Sequence, residues 1–322
     1  MRIRASLGYH RAMFSYRHAF HAGNHADVLK HIALLATLRH LQAKDGGLLL
    51  VDTHAGAGLY RLDQEQARTS GEAAQGVGAL WQAAATATAA GAALPAAVQD
   101  YIDCLRALNP DGVLQHYPGS PALLQAALRP QDALKLFELH PTDGRLLDRT
   151  VREWRARTPR PAIDLRRDNG FDGLKALLPP PSRRALVLID PSYELKSDYG
   201  LVAAVVADAL RRLAVGCYVV WYPVIAREQA HALPRRLRAL AQHHGRAWLQ
   251  AELNIGTPAD PAAKAAAARG RPAGSLRASG VFVVNPPYTL AGQLREALPW
   301  LLAALRQGPA AAWKVDAGEP KA

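Results

Sequence analysis

Short apolar runs that end near a polar side chain alternate with helical patterns along most of this chain. Six runs are predicted strands, at residues 47–52, 134–139, 162–165, 185–189, 217–222 and 279–284. Helical patterns separate most of them, at residues 26–41, 142–157, 199–213 and 226–242. This alternation predicts a doubly wound α/β fold whose mostly parallel sheet is covered on both faces. A ligand of such a fold lies beyond the carboxyl ends of the strands.

Two stretches depart from this alternation and suggest how the chain is divided. Residues 60–116 are helical by composition and predict a helical insertion between the first and second strands. Residues 1–59 then hold an N-terminal motif and the first strand, residues 117–308 the remainder of the domain, and residues 309–322 a disordered tail. The basic, low-complexity stretch 257–277 predicts a hairpin loop between late strands. Met13 is an alternative start to Met1.

The charge of the chain narrows its partners. It has 39 Lys and Arg against 27 Asp and Glu, a formal net charge of +12. Such an excess favours a polyanionic partner such as nucleic acid, although a genome rich in Arg and Ala would also produce it.

The two cysteines, Cys104 and Cys217, cannot build a disulfide framework, which fits a cytoplasmic protein. No apolar run is long enough for a membrane span or resembles a signal peptide.

The loop after the first strand, residues 52–58 with the sequence DTHAGAG, is typical of a nucleotide-binding turn. Its glycines let the backbone approach a ligand closely. A nicotinamide fingerprint would place a third glycine where this chain has Arg61, so an oxidoreductase is disfavoured. The pattern D-x-x-x-G-x-G instead resembles the methionine-binding loop of S-adenosylmethionine methyltransferases. A tight strand-to-helix turn is the structural alternative.

Polar side chains also follow the second and third strands. Glu138 can accept hydrogen bonds from both ribose hydroxyls of a bound nucleoside. Asp168 and Asn169 stand where an acid or an amide commonly binds the amino group of an adenine ring. Both residue types are favoured helix caps, so capping of the next helix is the alternative interpretation.

The sequence Asp190-Pro191-Ser192-Tyr193 after the fourth strand indicates the reaction. An exocyclic amine is a weak nucleophile because its lone pair is delocalised into the ring. The Asp190 carboxylate and the Pro191 carbonyl can accept its two N–H bonds, and Tyr193 offers a face on which a splayed-out base can stack. The segment resembles the D/N-P-P-Y/F signature of amino-group N-methyltransferases, with Ser192 in place of a proline that would make the loop more rigid.

A second segment, Asn285-Pro286-Pro287-Tyr288, matches that signature more closely. It follows the last strand, away from the central crevice of a doubly wound sheet. We therefore predict a structural role for it.

Residues 16–31, YRHAFHAGNHADVLKH, contain four histidines. His21 and His25 have the spacing of metal ligands on a helix, but Gly23 and Asn24 would interrupt that helix. We predict instead that this segment caps a helix beginning near Asn24 and folds over the cofactor and base, without a metal.

Six segments in this order resemble the bacterial 23S ribosomal RNA adenine-N6 methyltransferases of the RlmJ type. They are residues 16–31, 52–58 (DTHAGAG), 117–121 (YPGSP), 138–141 (ELHP), 190–193 (DPSY) and 221–223 (WYP). The resemblance extends from about Phe14 to Leu302. It implies an α/β, Rossmann-like class I methyltransferase fold with a small helical insertion. It also implies S-adenosylmethionine as cofactor and 23S ribosomal RNA as partner.

The resemblance also implies roles for individual residues. The cofactor-binding set would be His31, His54, Gly56, Ser120, Glu138, Asp168, Asn169, Gly170 and Asp190. The family's D-G-F appears here as Asn169-Gly170-Phe171, so an amide replaces the adenine-binding acid unless Asp168 takes that role. The catalytic set would be Asp190, Pro191 and Tyr193, and the substrate-binding pair Tyr16 and Lys30. The implied function also agrees with phosphate contacts from the basic loop and from Arg235, Arg236 and Arg238, although each arginine alone could be only a solvated surface charge.

We therefore expect an enzyme that methylates the N6 amine of an adenine in 23S ribosomal RNA by direct in-line displacement on a flipped base. We expect it to be a cytoplasmic monomer that uses no metal and acts on free RNA or an early assembly intermediate. One alternative is a DNA adenine-N6 methyltransferase, for which the insertion is small as a recognition domain. Another is a non-catalytic RNA-binding or ribosome-assembly factor, which the departures at Ser192 and Asn169 would favour.

Overall fold

An eight-stranded sheet forms the centre of the computed structural model, which describes residues 18–157, 162–257 and 276–320. Its strands are β1 (Leu49–Asp52), β4 (Ala133–Phe137), β5 (Ala162–Arg166), β6 (Ala185–Ile189), β7 (Cys217–Pro223), β8 (Trp248–Asn254), β9 (Ala278–Val284) and β10 (Ala312–Gly318). A separate antiparallel pair joins β2 (Leu59–Arg61) to β3 (His116–Pro118).

The strand order, β10-β8-β9-β7-β6-β1-β4-β5, gives the sheet its binding crevice. The five strands from β7 to β5 are parallel, and β9 and β10 run antiparallel to their neighbours. From β1 the chain moves outward to β4 and β5, then returns to the other side of β1 as β6 and β7. The order therefore reverses between β1 and β6, and this Rossmann-like switch point is where such sheets bind ligands.

Helices cover both faces of the sheet. The first face packs against α1 (His25–Gln42), α5 (Ser120–Ala126), α6 (Pro141–Arg157) and α10 (Leu290–Leu305), and α4 (Ala96–Leu108) packs over α1 and α10. The second face packs against α7 (Gly170–Leu177), α8 (Lys196–Arg212) and α9 (Glu228–His243). Residues 25–38 of α1 are all buried because the sheet, α4 and α10 surround this helix. The polar residues near its N-terminus are therefore buried too.

The segment between β2 and β3 contains α2 (Glu65–Ser70), a π-helical turn (Ala74–Gly78), α3 (Ala79–Ala89) and α4. These elements join the main core, since α4 packs on α1 and α3 packs on α10. The π-helical turn lies directly against the loop before α1: Val77 N donates to Gly23 O at 2.7 Å. The segment predicted as an insertion therefore supports the N-terminus of α1.

The end of the chain corrects one prediction. The sequence predicted a disordered tail from residue 309, but Ala312–Gly318 forms β10 and pairs with all of β8. The prediction is wrong because β10 is a largely exposed edge strand without an apolar run, and the β8 ladder supplies its order. Most of the predicted hairpin loop, residues 258–275, lies outside the described residues.

The segment Asn285-Pro286-Pro287-Tyr288 lies at the amino ends of the parallel strands, whereas Asp190 lies at their carboxyl ends. Strand β9 is antiparallel to β7, so its last residue pairs with the start of β7. Asn285 Nδ2 donates to Ala214 O at 2.8 Å and to Gly216 O at 2.7 Å. The predicted structural role is confirmed, because Asn285 holds the turn that leads into β7.

Candidate active site

A cavity of about 460 Å³ lies at the carboxyl ends of the parallel strands. All the predicted site residues within the described ranges line it: Lys30, His31, His54, Gly56, Ser120, Glu138, Asp168, Asn169, Gly170, Asp190, Pro191 and Tyr193. Tyr16 lies outside those ranges and stays a prediction. The fold brings together residues that the sequence separates by up to 160 positions, as in the contact between Lys30 and Asp190.

The loop after β1 is held against Glu138. Gly56 has a φ of 63°, and its N–H donates to Glu138 Oε2 at 2.7 Å. A Cβ on Gly56 would lie 2.4 Å from the Tyr60 hydroxyl, so this approach requires glycine. The other Glu138 oxygen accepts from His140 N at 2.6 Å. Burial raises the pKa of Glu138 to about 7, and both oxygens retain lone pairs for a ligand.

A buried carboxylate ends β1. Asp52 accepts from the Ser120 hydroxyl at 2.6 Å and from His54 N at 3.2 Å. Burial raises the pKa of Asp52 to about 6. Ser120, the first residue of α5, is thus tied to the end of β1 beside the cavity.

His31 lies at the end of a hydrogen-bonded chain that also contains Tyr101 and Tyr117. The Tyr101 hydroxyl donates to the Tyr117 hydroxyl at 3.1 Å, and Tyr117 lies 3.0 Å from His31 Nδ1. Burial lowers the pKa of His31 to about 3, so its ring is neutral. Because the Tyr117 proton is directed to Nδ1, the ring proton belongs on Nε2. That N–H, in the wall of the cavity, has no partner among the described residues.

Lys30 joins two carboxylates. Its Nζ donates to Asp27 Oδ1 and to Asp190 Oδ2, each at 2.7 Å. Burial alone would lower the pKa of Lys30, but Asp190 and Asp27 outweigh it and raise the pKa above its usual value. Burial alone would raise the pKa of Asp27, but His18 and Lys30 hold it well below its usual range. Both groups therefore remain charged, and Lys30 positions one oxygen of Asp190.

Tertiary contacts restrain the segment from Asp190 to Tyr193, which has serine where the signature has a proline. Tyr193 has a φ of 54°, and its hydroxyl donates to Trp221 O at 2.6 Å. Arg227 donates from its guanidinium to Tyr193 O at 3.0 Å. Only 3% of Tyr193 is exposed, since its ring packs against Tyr199 and Trp221. The hydrogen bonds to β7 and from Arg227 restrain the loop where the signature would use proline.

The residues after β5 combine capping with access to the cavity. Asn169 Oδ1 accepts from Phe171 N at 2.9 Å and caps α7, as the structural alternative predicted. Its Nδ2 is not needed for that cap. Asp168 is exposed at the rim. A Cβ on Gly170 would lie 2.1 Å from Thr53 O, so only glycine allows β1 and α7 to approach this closely.

Two groups of residues were not identified from the sequence. Asp27 and Tyr117 position Lys30 and His31; their place inside quoted motifs was the available signal. Trp221 and Arg227 line the cavity from the β7 side. The WYP motif pointed to Trp221, whereas no pattern pointed to Arg227.

The histidines near α1 bind carboxylates. His21 Nδ1 lies 3.0 Å from Glu72 Oε2, and His18 Nε2 lies 2.9 Å from Asp27 Oδ2. Asn24 Oδ1 accepts from the backbone N–H groups of Ala26 and Asp27, which confirms the predicted helix start. Across the described ranges, no group of three or more His, Cys, Asp or Glu has the arrangement of a metal site. None of the described helices is long and apolar enough to cross a membrane.

Residues 45–317 match the family model described as "Ribosomal RNA large subunit methyltransferase D, RlmJ". The chain is 42% identical over 290 residues to "Ribosomal RNA large subunit methyltransferase J" of Escherichia coli strain K12, covering 90% of this chain and 93% of that protein. It is 39% identical over 305 residues to the protein of the same name from Haemophilus influenzae, covering 94% of this chain and 98% of that protein.

The fold has a counterpart among solved structures. The crystal structure of a Legionella pneumophila protein is similar over 92% of this chain and 98% of that chain, with a TM-score of 0.75 and 29% sequence identity. The similarity therefore includes the region from β2 to β3 as well as the sheet.

Proposed function

Since this chain belongs to the RlmJ family of ribosomal RNA large subunit methyltransferases, we propose that it transfers the methyl group of S-adenosylmethionine to the N6 amine of an adenine in 23S ribosomal RNA. The arrangement of Asp190 carries this proposal. Lys30 occupies Asp190 Oδ2, while Oδ1 has no hydrogen bond to another described residue and Asp190 lines the cavity. A carboxylate fixed by one oxygen and open at the other suits an amine N–H.

The chemistry of the cavity fits the cofactor. S-adenosylmethionine supplies an electrophilic methyl carbon when it is bound. Glu138 offers carboxylate acceptors for ribose hydroxyls, and His31 Nε2–H is a buried donor that lacks a partner among the described residues. Gly56 and Gly170 keep two backbone segments close to the cavity where a Cβ would clash. Asn169 Nδ2 and Asp168 lie near enough to the rim to contact an adenine ring.

The residues around Asp190 would activate the amine. Asp190 Oδ1 and the Pro191 carbonyl each accept one N6–H, which orients the nitrogen lone pair toward the methyl carbon. As the N–C bond formed and the methyl–sulfur bond of the sulfonium broke, N6 would gain positive charge, which the adjacent carboxylate would stabilise. One N6 proton then leaves toward Asp190 Oδ1. Lys30, held between two carboxylates, keeps Asp190 oriented throughout.

Two aromatic residues would hold the target base. Trp221 is partly exposed to the cavity, and Tyr193 lies beside it with a ring-centroid separation of 5.9 Å. Stacking of one base on an aromatic side chain contributes about 1–3 kcal/mol. Because Tyr193 is almost fully buried, we assign more of the stacking to Trp221 than the sequence suggested. Tyr16 remains a candidate substrate contact.

The net charge of +12 supports an RNA partner, since neutralised phosphates release counterions. We propose that the protein acts in the cytoplasm as a monomer, on free 23S ribosomal RNA or an early assembly intermediate.

The test is a methyl-transfer assay with purified protein, labelled S-adenosylmethionine and protein-free 23S ribosomal RNA, followed by digestion to nucleosides. We expect label in N6-methyladenosine, and a loss of at least about a thousandfold in rate for Asp190→Ala and Asp190→Asn. Thermal melting of both variants controls for folding.

The outcomes separate the alternatives. Label in another nucleoside, or full turnover by folded Asp190→Ala, would contradict the proposed reaction or its site. RNA binding without turnover on free RNA and on subunit precursors would favour a non-catalytic assembly factor. Efficient transfer to duplex DNA but not to RNA would favour the DNA methyltransferase.

A further inference from the structure

The outward face of α9 carries a row of basic residues. Arg227, at the N-cap, is followed at intervals of four residues by His231 and Arg235, with Arg236 beside the last. His231, Arg235 and Arg236 are exposed, and Arg227 is partly buried. Eight helical residues span about 12 Å, a length that can face more than one phosphate of a nucleic acid strand. Glu228 is the single acidic residue of α9.

The arginines of this row differ from their neighbours in their partners. In the described ranges, none of Arg227, Arg235 and Arg236 forms a salt bridge. By contrast, Arg211 and Arg212 on the adjacent helix α8 both pair with Asp208, at 2.9 and 2.6 Å. The two groups therefore have similar formal charge but different availability for phosphates.

Arg238 does not belong to the row, although the sequence predicted it as a phosphate contact. Its guanidinium lies 4.1 Å from the centroid of the Trp248 ring and donates to Gln250 Oε1 at 3.0 Å. It therefore packs α9 against the sheet. Its guanidinium also lies 3.8 Å from Asp316 Oδ2, so we leave Arg238 out of the row, and its phosphate contact stays a prediction.

The row begins at the active site. Arg227 lines the cavity and donates to the carbonyl of Tyr193, three residues after Asp190. A phosphate held by another N–H of Arg227 would therefore lie beside the loop that holds the target amine. Arg235 and Arg236 lie two helical turns farther along α9.

We propose that α9 is a backbone track for the RNA strand that enters the active site. Arg227 would bind a phosphate next to the flipped adenosine, and Arg235 and Arg236 would bind phosphates farther along the strand. These contacts position the RNA without reading its sequence. The proposal rests on the proposed function and adds the surface that holds its substrate.

The test compares two double variants with the same loss of charge. Arg235→Ala with Arg236→Ala removes the unpaired end of the row, and Arg211→Ala with Arg212→Ala removes the paired arginines of α8 as the control. Binding of transcribed 23S ribosomal RNA is measured from 50 to 300 mM salt. Each lost phosphate contact reduces the slope of log K against log salt concentration by about 0.7–0.9. We expect a reduction of about 1.4–1.8 for the first variant and less than about 0.5 for the control.

A kinetic readout separates docking from folding. The track variant should show a KM for RNA raised about tenfold, with kcat and S-adenosylmethionine affinity within about twofold of the unmodified chain. Arg227 is retained in both variants because it also contacts Tyr193. An unchanged salt slope, or equal effects in the two variants, would overturn the track. A chain that binds RNA with these slopes but forms no N6-methyladenosine would contradict the proposed function and leave the track supported.

Discussion

At the scale of single residues, the cavity depends on groups whose protonation is imposed by burial. His31 is neutral, and the Tyr117 hydroxyl at its Nδ1 determines which ring nitrogen carries its proton. A buried donor that makes no hydrogen bond costs about 1–3 kcal/mol. A ligand acceptor that bonds to Nε2–H would remove this cost, and the gain would add to the free energy of binding. We therefore expect Tyr117 to influence cofactor binding through His31.

Tyr117→Phe tests this influence. The variant removes the hydroxyl that donates to His31 Nδ1, so the ring proton is free to move to Nδ1 and Nε2 loses its donor role. We expect the Kd for S-adenosylmethionine to rise about five- to tenfold, or about 1–1.4 kcal/mol, measured by calorimetry. Tyr101→Phe is the matched control because it also deletes a buried hydroxyl but keeps the contact between Tyr117 and His31. Equal weakening in the two variants would show that packing alone is responsible.

The raised pKa of Glu138 predicts that cofactor binding depends on pH. Its folded pKa of about 7 lies above the ordinary value, so its carboxylate is largely protonated at pH 6 and ionised at pH 8. Ribose hydroxyls bind best to the ionised form, and affinity should therefore rise by up to about tenfold between these pH values. Glu138→Gln should bind more weakly at pH 8 and lose this rise. The ratio of the two affinities at each pH cancels titration of the cofactor itself, and a constant ratio would contradict the assignment.

At the scale of elements, the sequence predicted continuously apolar strands better than strands that carry polar residues. Residues 185–189 were predicted as a strand and form β6 with the same limits, because five consecutive buried apolar residues suit a parallel strand covered on both faces. Strand β8 was missed. It carries Gln250 and Glu252, whose polar groups are satisfied by Tyr222. Such pairing depends on residues far apart in sequence, so no local pattern reveals it.

A prediction at this scale concerns the π-helical turn (Ala74–Gly78), which contacts the loop before α1. Gly76 has φ −103° and ψ −106°, and a Cβ there would lie 2.1 Å from Gly23 O. Gly76→Ala should displace the loop that contains Asn24, the N-cap of the helix that carries Lys30. We expect a loss of about 1–3 kcal/mol in the free energy of unfolding and at least about a tenfold fall in kcat.

Gly200→Ala is the control, because Gly200 lies in α8 with open space around it. That change should stabilise the helix by up to about 1 kcal/mol and leave kcat unaltered. Urea unfolding and the methyl-transfer assay measure both quantities. Normal activity in Gly76→Ala would mean that the turn does not support the site.

At the scale of the whole molecule, topology explains why much of the site could be predicted. Parallel strands bring their carboxyl ends to one edge, so Asp52, Glu138 and Asp190 lie near one cavity despite their separation in sequence. The link between Lys30 and Asp190 could not be derived in this way, because it depends on how deeply α1 is buried. The position of Arg227 likewise depends on where α9 begins.

The same topology places β10 at the edge of the sheet, away from the active site, so we expect this strand to affect stability and not cofactor binding. Strand β10 pairs with β8, while β9 and β7 lie between β8 and the crevice at β6. Deleting residues 312–322 would leave the outer edge of β8 unpaired and expose the Trp248 ring, against which Gly318 packs. We expect Tm to fall by at least about 5 °C with increased aggregation, while S-adenosylmethionine affinity changes less than about twofold. Deleting residues 319–322 keeps β10 and should change neither quantity. Loss of cofactor affinity at unchanged Tm would contradict this expectation, because it would show that β10 affects the site and not the stability of the sheet.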